Sequence, residues 1–177
     1  KKENGEEGDH HQEVVEVKAI NAEQSVGARP QADTKENNNY EEESRVSQDV
    51  SNMNEISLSV LKQLGPYQYG PLPEDGIKRE ERDWVTLENG IKYKGEWNVQ
   101  SNKKDGRGIQ IWPDGSRYEG FWKNNKANGK GRLIHGDGDV YEGDWVNDKA
   151  HGYGVYQHLD GGRYEGQWVE DKQSGHG

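Results

Sequence analysis

Tyr118-Glu119-Gly120-Phe121-Trp122 is one of four copies of a single phrase. The others are Tyr93-Lys94-Gly95-Glu96-Trp97, Tyr141-Glu142-Gly143-Asp144-Trp145 and Tyr164-Glu165-Gly166-Gln167-Trp168. Successive tyrosines lie 25, 23 and 23 residues apart. A fixed period of about 20–50 residues marks a repeat architecture. After each tryptophan come a polar stretch and then Gly-x-Gly, at Gly106/Gly108, Gly129/Gly131, Gly152/Gly154 and Gly175/Gly177. A turn signal precedes the next copy, at Pro113-Asp114-Gly115, Asp137-Gly138 and Asp160-Gly161. The first unit is longer only after Trp97, so its insertion is confined to one loop, as repeat arrays vary.

Each unit reads as a β-hairpin. Alternation along a strand puts Tyr118, Gly120 and Trp122 on one face and Glu119 and Phe121 on the other. Glycine inside a strand normally weakens it. A regular glycine beside a regular aromatic has a reason: the missing side chain lets a neighbouring ring lie flat on the backbone. Asp-Gly then turns the chain into the next unit. The expected fold is mainly β, an elongated antiparallel meander of hairpins in which each repeat touches mainly its neighbours. A sheet without a covering layer would leave aromatics partly exposed, and exposed apolar patches mark partner sites. Tyr93, Trp97, Trp112, Tyr118, Phe121, Trp122, Tyr141, Trp145, Tyr164 and Trp168 are therefore candidate protein-binding residues.

The phrase Y-x-G-x-W followed by G-x-G, four times in register from about Gly90 to Gly177, resembles the MORN (membrane occupation and recognition nexus) repeat family. Lys94 stands where the family usually has glutamate. The resemblance implies an elongated array of β-hairpins. It also implies a setting in scaffolds of cilia, cytoskeleton or membrane junctions, or an accessory region of a lipid kinase.

The first 50 residues have a different character. Leu, Ile, Val and Phe supply only 28 of the 177 residues, and the net charge is −10. All six tryptophans lie at or beyond Trp84, and Tyr40 is the only aromatic before residue 66. Residues 1–50 read as an acidic low-complexity tail, disordered alone. Val14, Val15 and Val17 form an apolar run within it. Residues 51–65 hold a short helix opened by Asn54-Glu55 and closed by Gly65-Pro66, with Ile56, Leu58, Leu61 and Leu64 as candidate docking residues. It is too short to be stable alone. It either caps the first repeat or docks in a groove elsewhere. Residues 66–83, with Pro66, Pro71, Pro73, Tyr67 and Tyr69, read as a linker. The array occupies 84–177, starting with an irregular hairpin that turns at Asn89-Gly90. The chain opens without methionine and stops at Gly177 as a return strand begins, which implies a piece of a longer protein. An unpaired edge there would invite self-association.

Chemistry finds little support. There is no cysteine, so no disulfide or thiolate site exists, in keeping with a reducing compartment. No signal peptide or membrane span is visible. His10, His11, His135, His151, His158 and His176 show no ligand spacing. Asp137-Gly138-Asp139 fails the calcium-loop pattern. Gly129-Lys130-Gly131-Arg132 fails the phosphate-loop pattern. No cofactor is expected. Lys103, Lys104, Arg107, Lys123, Lys126, Lys130 and Arg132 form a basic stripe suited to anionic lipid, although acidic residues interleave with it. The acidic balance argues against nucleic acid. The expected function is a non-enzymatic, intracellular scaffold that binds other proteins of a large assembly, ciliary or cytoskeletal by resemblance. A lipid-binding module and the regulatory region of a larger enzyme, such as a phosphoinositide kinase, are the alternatives.

Overall fold

The computed structural model describes residues 52–175 and residue 177. The tail expected over 1–50 and His176 lie outside the described residues. One helix, α1 (Glu55–Leu64), precedes nine strands. These are β1 (Arg79–Thr86), β2 (Lys92–Asn98), β3 (Lys103–Ile111), β4 (Arg117–Lys123), β5 (Lys126–Ile134), β6 (Val140–Val146), β7 (Lys149–Gln157), β8 (Arg163–Val169) and β9 (Lys172–Ser174). They form one antiparallel sheet in strict chain order, the expected meander. β1 starts inside the stretch read as linker, five residues before Trp84.

The register explains the glycines. Gly95, Gly108, Gly120, Gly131, Gly143, Gly154 and Gly166 are cross-strand partners in one continuous row from β2 to β8. The tyrosine rings lie on that row. A Cβ built at Gly131 would sit 2.6 Å from Tyr118 Cε2, and Gly108 and Gly154 meet Tyr93 and Tyr141 in the same way. Each tyrosine hydroxyl donates to the carbonyl three residues on, at 2.9 Å in Tyr93 and Tyr118, 3.0 Å in Tyr141 and 3.2 Å in Tyr164. That bond holds the ring along its own strand and satisfies the one polar atom.

The tryptophans close the layer. Each of Tyr93, Tyr118 and Tyr141 meets the tryptophan of its own phrase and that of the next, edge to face, with centroids 5.0 to 5.5 Å apart. Such offsets suit the ring quadrupole. The indole N–H of Trp122, Trp145 and Trp168 donates to the carbonyl of Gly108, Gly131 and Gly154 at 3.1 to 3.2 Å. The result corrects the expectation of exposed repeat aromatics. Tyr93, Tyr118 and Tyr141 are fully buried, and Trp97, Trp122, Trp145 and Trp168 nearly so. They are the core, with Ala127, Leu133, Ala150 and Tyr156. Trp112 and Tyr164 are half-buried against it, and Phe121 points to the other face.

Hairpin turns lock neighbouring units. Asn124-Asn125, Asn147-Asp148 and Glu170-Asp171 have both residues at positive φ, the twist that two-residue hairpin loops require. The second residue reaches back to the previous unit. Asp148 accepts from the Ala127 N–H at 2.7 Å and donates its own N–H to the Ala127 carbonyl at 3.0 Å. Asp171 does the same to Ala150, and Asn125 to Lys104.

Lys104 breaks the pattern. It stands where later units have Ala127 and Ala150, and Gln110 stands where they have Leu133 and Tyr156. Lys104 is 3 % exposed. Its Nζ lies 4.3 Å from the Trp122 ring centre and 2.6 Å from Gln110 Oε1. Burial lowers its pKa to about 8, with Asp148 pulling weakly the other way.

Two outcomes follow from this packing. Gly131→Ala drives a methyl into the Tyr118 ring and should destabilise by about 1–3 kcal/mol or more. Gly70→Ala meets nothing within 4 Å and should stay within about 0.5 kcal/mol of wild type in the same urea titration. Unfolded Lys104 titrates near 10.4, so the unfolded chain binds more protons between pH 8 and that value. Wild-type stability gains from this group as pH rises through that window. The Lys104→Met, Gln110→Leu variant should be more stable at pH 7 by about 1–4 kcal/mol. Its advantage should shrink by pH 10. A pH-independent difference in tryptophan-detected unfolding would refute the assignment.

Candidate functional site

With the aromatic face closed, the residues that alternate with tyrosine and tryptophan own the opposite face. Pairing puts Ile109, Glu119, Arg132, Glu142, Val155 and Glu165 in one row across β3 to β8. A second row holds Ile111, Arg117, Ile134 and Val140. This charged face is already partly occupied by the chain itself.

α1 lies on it. Asn54 caps the helix by accepting from the Ser57 N–H at 2.8 Å, and Glu55 in the first turn suits the helix dipole. The same Asn54 side chain donates to the Gly136 and Asp114 carbonyls at 2.8 and 3.3 Å. One residue thus starts the helix and pins it to two inter-repeat turns. Val60 packs on Ile134 and Val140, with Leu61 beside them.

The segment after α1 crosses the face towards β1. Arg132 donates to the Gly65 carbonyl at 2.7 Å, and its guanidinium sits 5.6 Å over the Tyr67 ring. Tyr69 meets Phe121 edge-on at 6.1 Å and donates to the Gly108 carbonyl at 3.3 Å. Arg107 donates to the Gly70 carbonyl at 2.9 Å. Beneath them Glu119 Oε1 accepts from Arg117 Nε at 3.0 Å and Arg132 Nη2 at 3.3 Å. All three side chains are buried. Two cations thus flank one buried carboxylate, the pairing that burying charge requires, while Arg132 Nε is left without a partner among the described residues. Burial first, and Glu142 second, push the Tyr67 phenol up to about 12.

The structure corrects two groups of sequence-predicted residues. The helix docks through Ser57 and Val60, with Leu61, rather than through the whole Ile56, Leu58, Leu61, Leu64 set. The operative stripe runs i, i+3, i+4 from Ser57; Ile56 and Leu64 remain 46 % exposed. The helix lies across the sheet, not as a cap on the first repeat. The basic stripe is not continuous either. Lys104 is in the aromatic core, and Arg132 is buried against Glu119. Arg107 is half-buried beneath Gly70, and Lys130 pairs with Asp144. Lys103, Lys123 and Lys126 do face solvent. They belong to a different feature, a line of exposed lysines at the start of each return strand: Lys103, Lys126, Lys149 and Lys172. Comparing the units position by position would have found it.

Asp139 accepts from Tyr156 Oη at 2.8 Å and the Leu159 N–H at 3.0 Å, with His158 Nδ1 3.3 Å away. This cluster fastens one inter-repeat turn to the next. Among the described residues no group of three or more His, Asp or Glu side chains converges to hold a metal. No helix among them is long and apolar enough to cross a membrane.

Between α1 and the C-terminal repeats the charged face opens into a cleft of about 880 Å³. Its apolar lining includes Val60, Leu64, Val140, Val155 and Leu159, and Lys130, Glu142 and Arg163 also line it.

The MORN repeat family model matches residues 93–117, 118–140, 141–163 and 164–177. Each matched unit begins at or directly on the tyrosine of the phrase. No curated protein matches the chain. The glycine row, the tyrosine–tryptophan ladder and four consecutive matches agree, and MORN repeats are protein- and membrane-interaction repeats: the chain is a MORN-repeat protein.

Proposed function

We propose that the array is a non-enzymatic scaffold whose charged face binds other proteins of a large intracellular assembly. The observation that carries this is the docking of α1 and residues 65–70 on that face. The tyrosines and tryptophans are spent on the core. The charged face holds a helix by a small apolar contact and an extended segment by arginine-to-carbonyl bonds. A helix laid on an apolar contact is one of the modes by which folded domains recognise peptides. The family resemblance supports a ciliary or cytoskeletal setting. Crosslinking mass spectrometry of the native assembly tests the reading. Lys62 on the helix and Lys130 on the charged face should link to a fixed set of partner proteins. Links confined to the chain itself would remove the scaffold reading.

A second reading rests on the exposed line Lys103, Lys126, Lys149 and Lys172. Successive members are two strands apart, about 9.5 Å, and exposed Val146 and Val169 flank them. Cations near an anionic membrane contribute roughly 1 kcal/mol each. Vesicles containing phosphatidylserine should bind the chain in a salt-sensitive way. Lys103→Glu, Lys126→Glu and Lys149→Glu together should abolish that binding.

A further inference from the structure

α1 is seated on one junction between repeats. Asn54 and Ile56 stand at the Asp137-Gly138 turn, Val60 packs on Ile134 and Val140, and Gly65 ends the helix at Arg132. Ile134 and Val140 are cross-strand partners between β5 and β6. The sheet repeats, so the seat repeats with it. One unit on, 23 residues later, Gln157 and Arg163 form the equivalent pair between β7 and β8. There the carbonyls of Asp137 and Leu159 take the places from which those of Asp114 and Gly136 hold the Asn54 amide. Two strands span about 9.5 Å, and packed helices lie about 8–10 Å apart. A helix on the next junction would therefore lie side by side with α1.

The cleft is at that junction. Val140 and Val155 form its floor, and α1 supplies one wall through Gln63 and Leu64. Leu64 and Leu159 are 46 % and 57 % exposed. A Cβ built on Gly138 would meet Ile56 Cγ2 at 2.9 Å and Leu159 Cδ1 at 3.0 Å. Those two apolar side chains thus converge at the turn end of the cleft.

We infer that the cleft seats an amphipathic helix of a partner protein, parallel to α1 and one repeat further along, with a carboxylate where α1 has Val60. The pair beneath sets that chemistry. Ile134 and Val140 take a valine, whereas Gln157 and Arg163 take an acidic side chain. Arg163 already holds Glu165, and Glu142 also lines the cleft, so the guanidinium is shared and the apolar flank against α1 carries most of the affinity. The inference rests on the charged face being a binding face, and it names what that face binds.

The probe is a fluorescein-labelled peptide of residues 54–65 carrying Val60→Glu. It is stapled between positions 55 and 59, which α1 exposes to solvent, because so short a helix does not hold by itself. Fluorescence anisotropy against the full chain should show saturable binding, at least about fivefold tighter than for the same peptide with Val60 kept. Arg163→Glu in the protein should invert that preference. Leu64→Ser with Leu159→Ser should weaken binding about tenfold, while Val146→Ser, on a hairpin tip, should leave it unchanged. Tighter binding of the Val60 peptide would mean that it displaces α1 from its own seat, and would overturn the proposal. So would binding that survives the double serine variant, or no saturation below about 1 mM. The probe tests the purified chain without its assembly. Fixed partner crosslinks from Lys62 and Lys130 with no response to the probe would remove the helix seat and leave the scaffold reading standing.

Discussion

The contact between tyrosine rings and a row of backbone glycines is the constraint on which the molecule depends. One sheet ordinarily needs a second layer to bury an apolar face. This chain supplies the second layer from within the sheet. Tyr93, Tyr118 and Tyr141, laid flat along their strands, each occupy the space that the Cβ atoms of a cross-strand glycine pair would fill. The hydroxyl finds a carbonyl three residues on, and tryptophans from adjacent units seal the edges. Remove the glycine and the ring must lift. Lift the ring and both tryptophans that touch it lose their faces.

The same arrangement makes the array local. Within the array, a turn residue in one unit bonds both backbone groups of a residue 21 positions earlier. Stability is then a sum of units and their junctions. The N-terminal end of the array departs from the rule. β1 carries no glycine row and slips in register between Arg82 and Val85. The Trp97 indole N–H consequently has no carbonyl partner, although the Trp122, Trp145 and Trp168 groups each have one. Arg82 stacks over Trp97 at 4.8 Å instead. Lys104 and Gln110 in the same unit put a polar pair where later units have alanine with leucine or tyrosine. The first unit is thus the least uniform of the core.

Much of the fold was legible in the spacing. Tyr-x-Gly-x-Trp with a following Gly-x-Gly defines strands, faces and register together, and the ring-on-glycine contact follows from alternation. What alternation does not reveal is how completely the rings cover themselves. Burial depends on contacts between units 23 residues apart, so the aromatics read as partner-facing when they are core. The lysines failed for a related reason. Lys104 and Lys103 are adjacent in sequence but belong to opposite environments, and only alignment of the units exposes the substitution. The helix was found from its caps, Asn54 and Gly65. Its docking face was not, because Ser57 is small and polar and lies buried for want of room rather than for hydrophobicity.

These facts divide the labour within each phrase. The tyrosine, glycine and tryptophan are committed to the core and leave no freedom. The two intervening positions point to the charged face: Glu119 and Phe121, Glu142 and Asp144, Glu165 and Gln167. Their chemistry differs from unit to unit. Glu119 anchors two buried arginines, while Phe121 carries Tyr69. Asp144 accepts from the Tyr153 N–H where the return strand bulges. On the proposed binding role, specificity resides in residues that the repeat leaves unspecified. The segment after the helix already meets one of them, with Tyr69 edge-on to Phe121 at 6.1 Å.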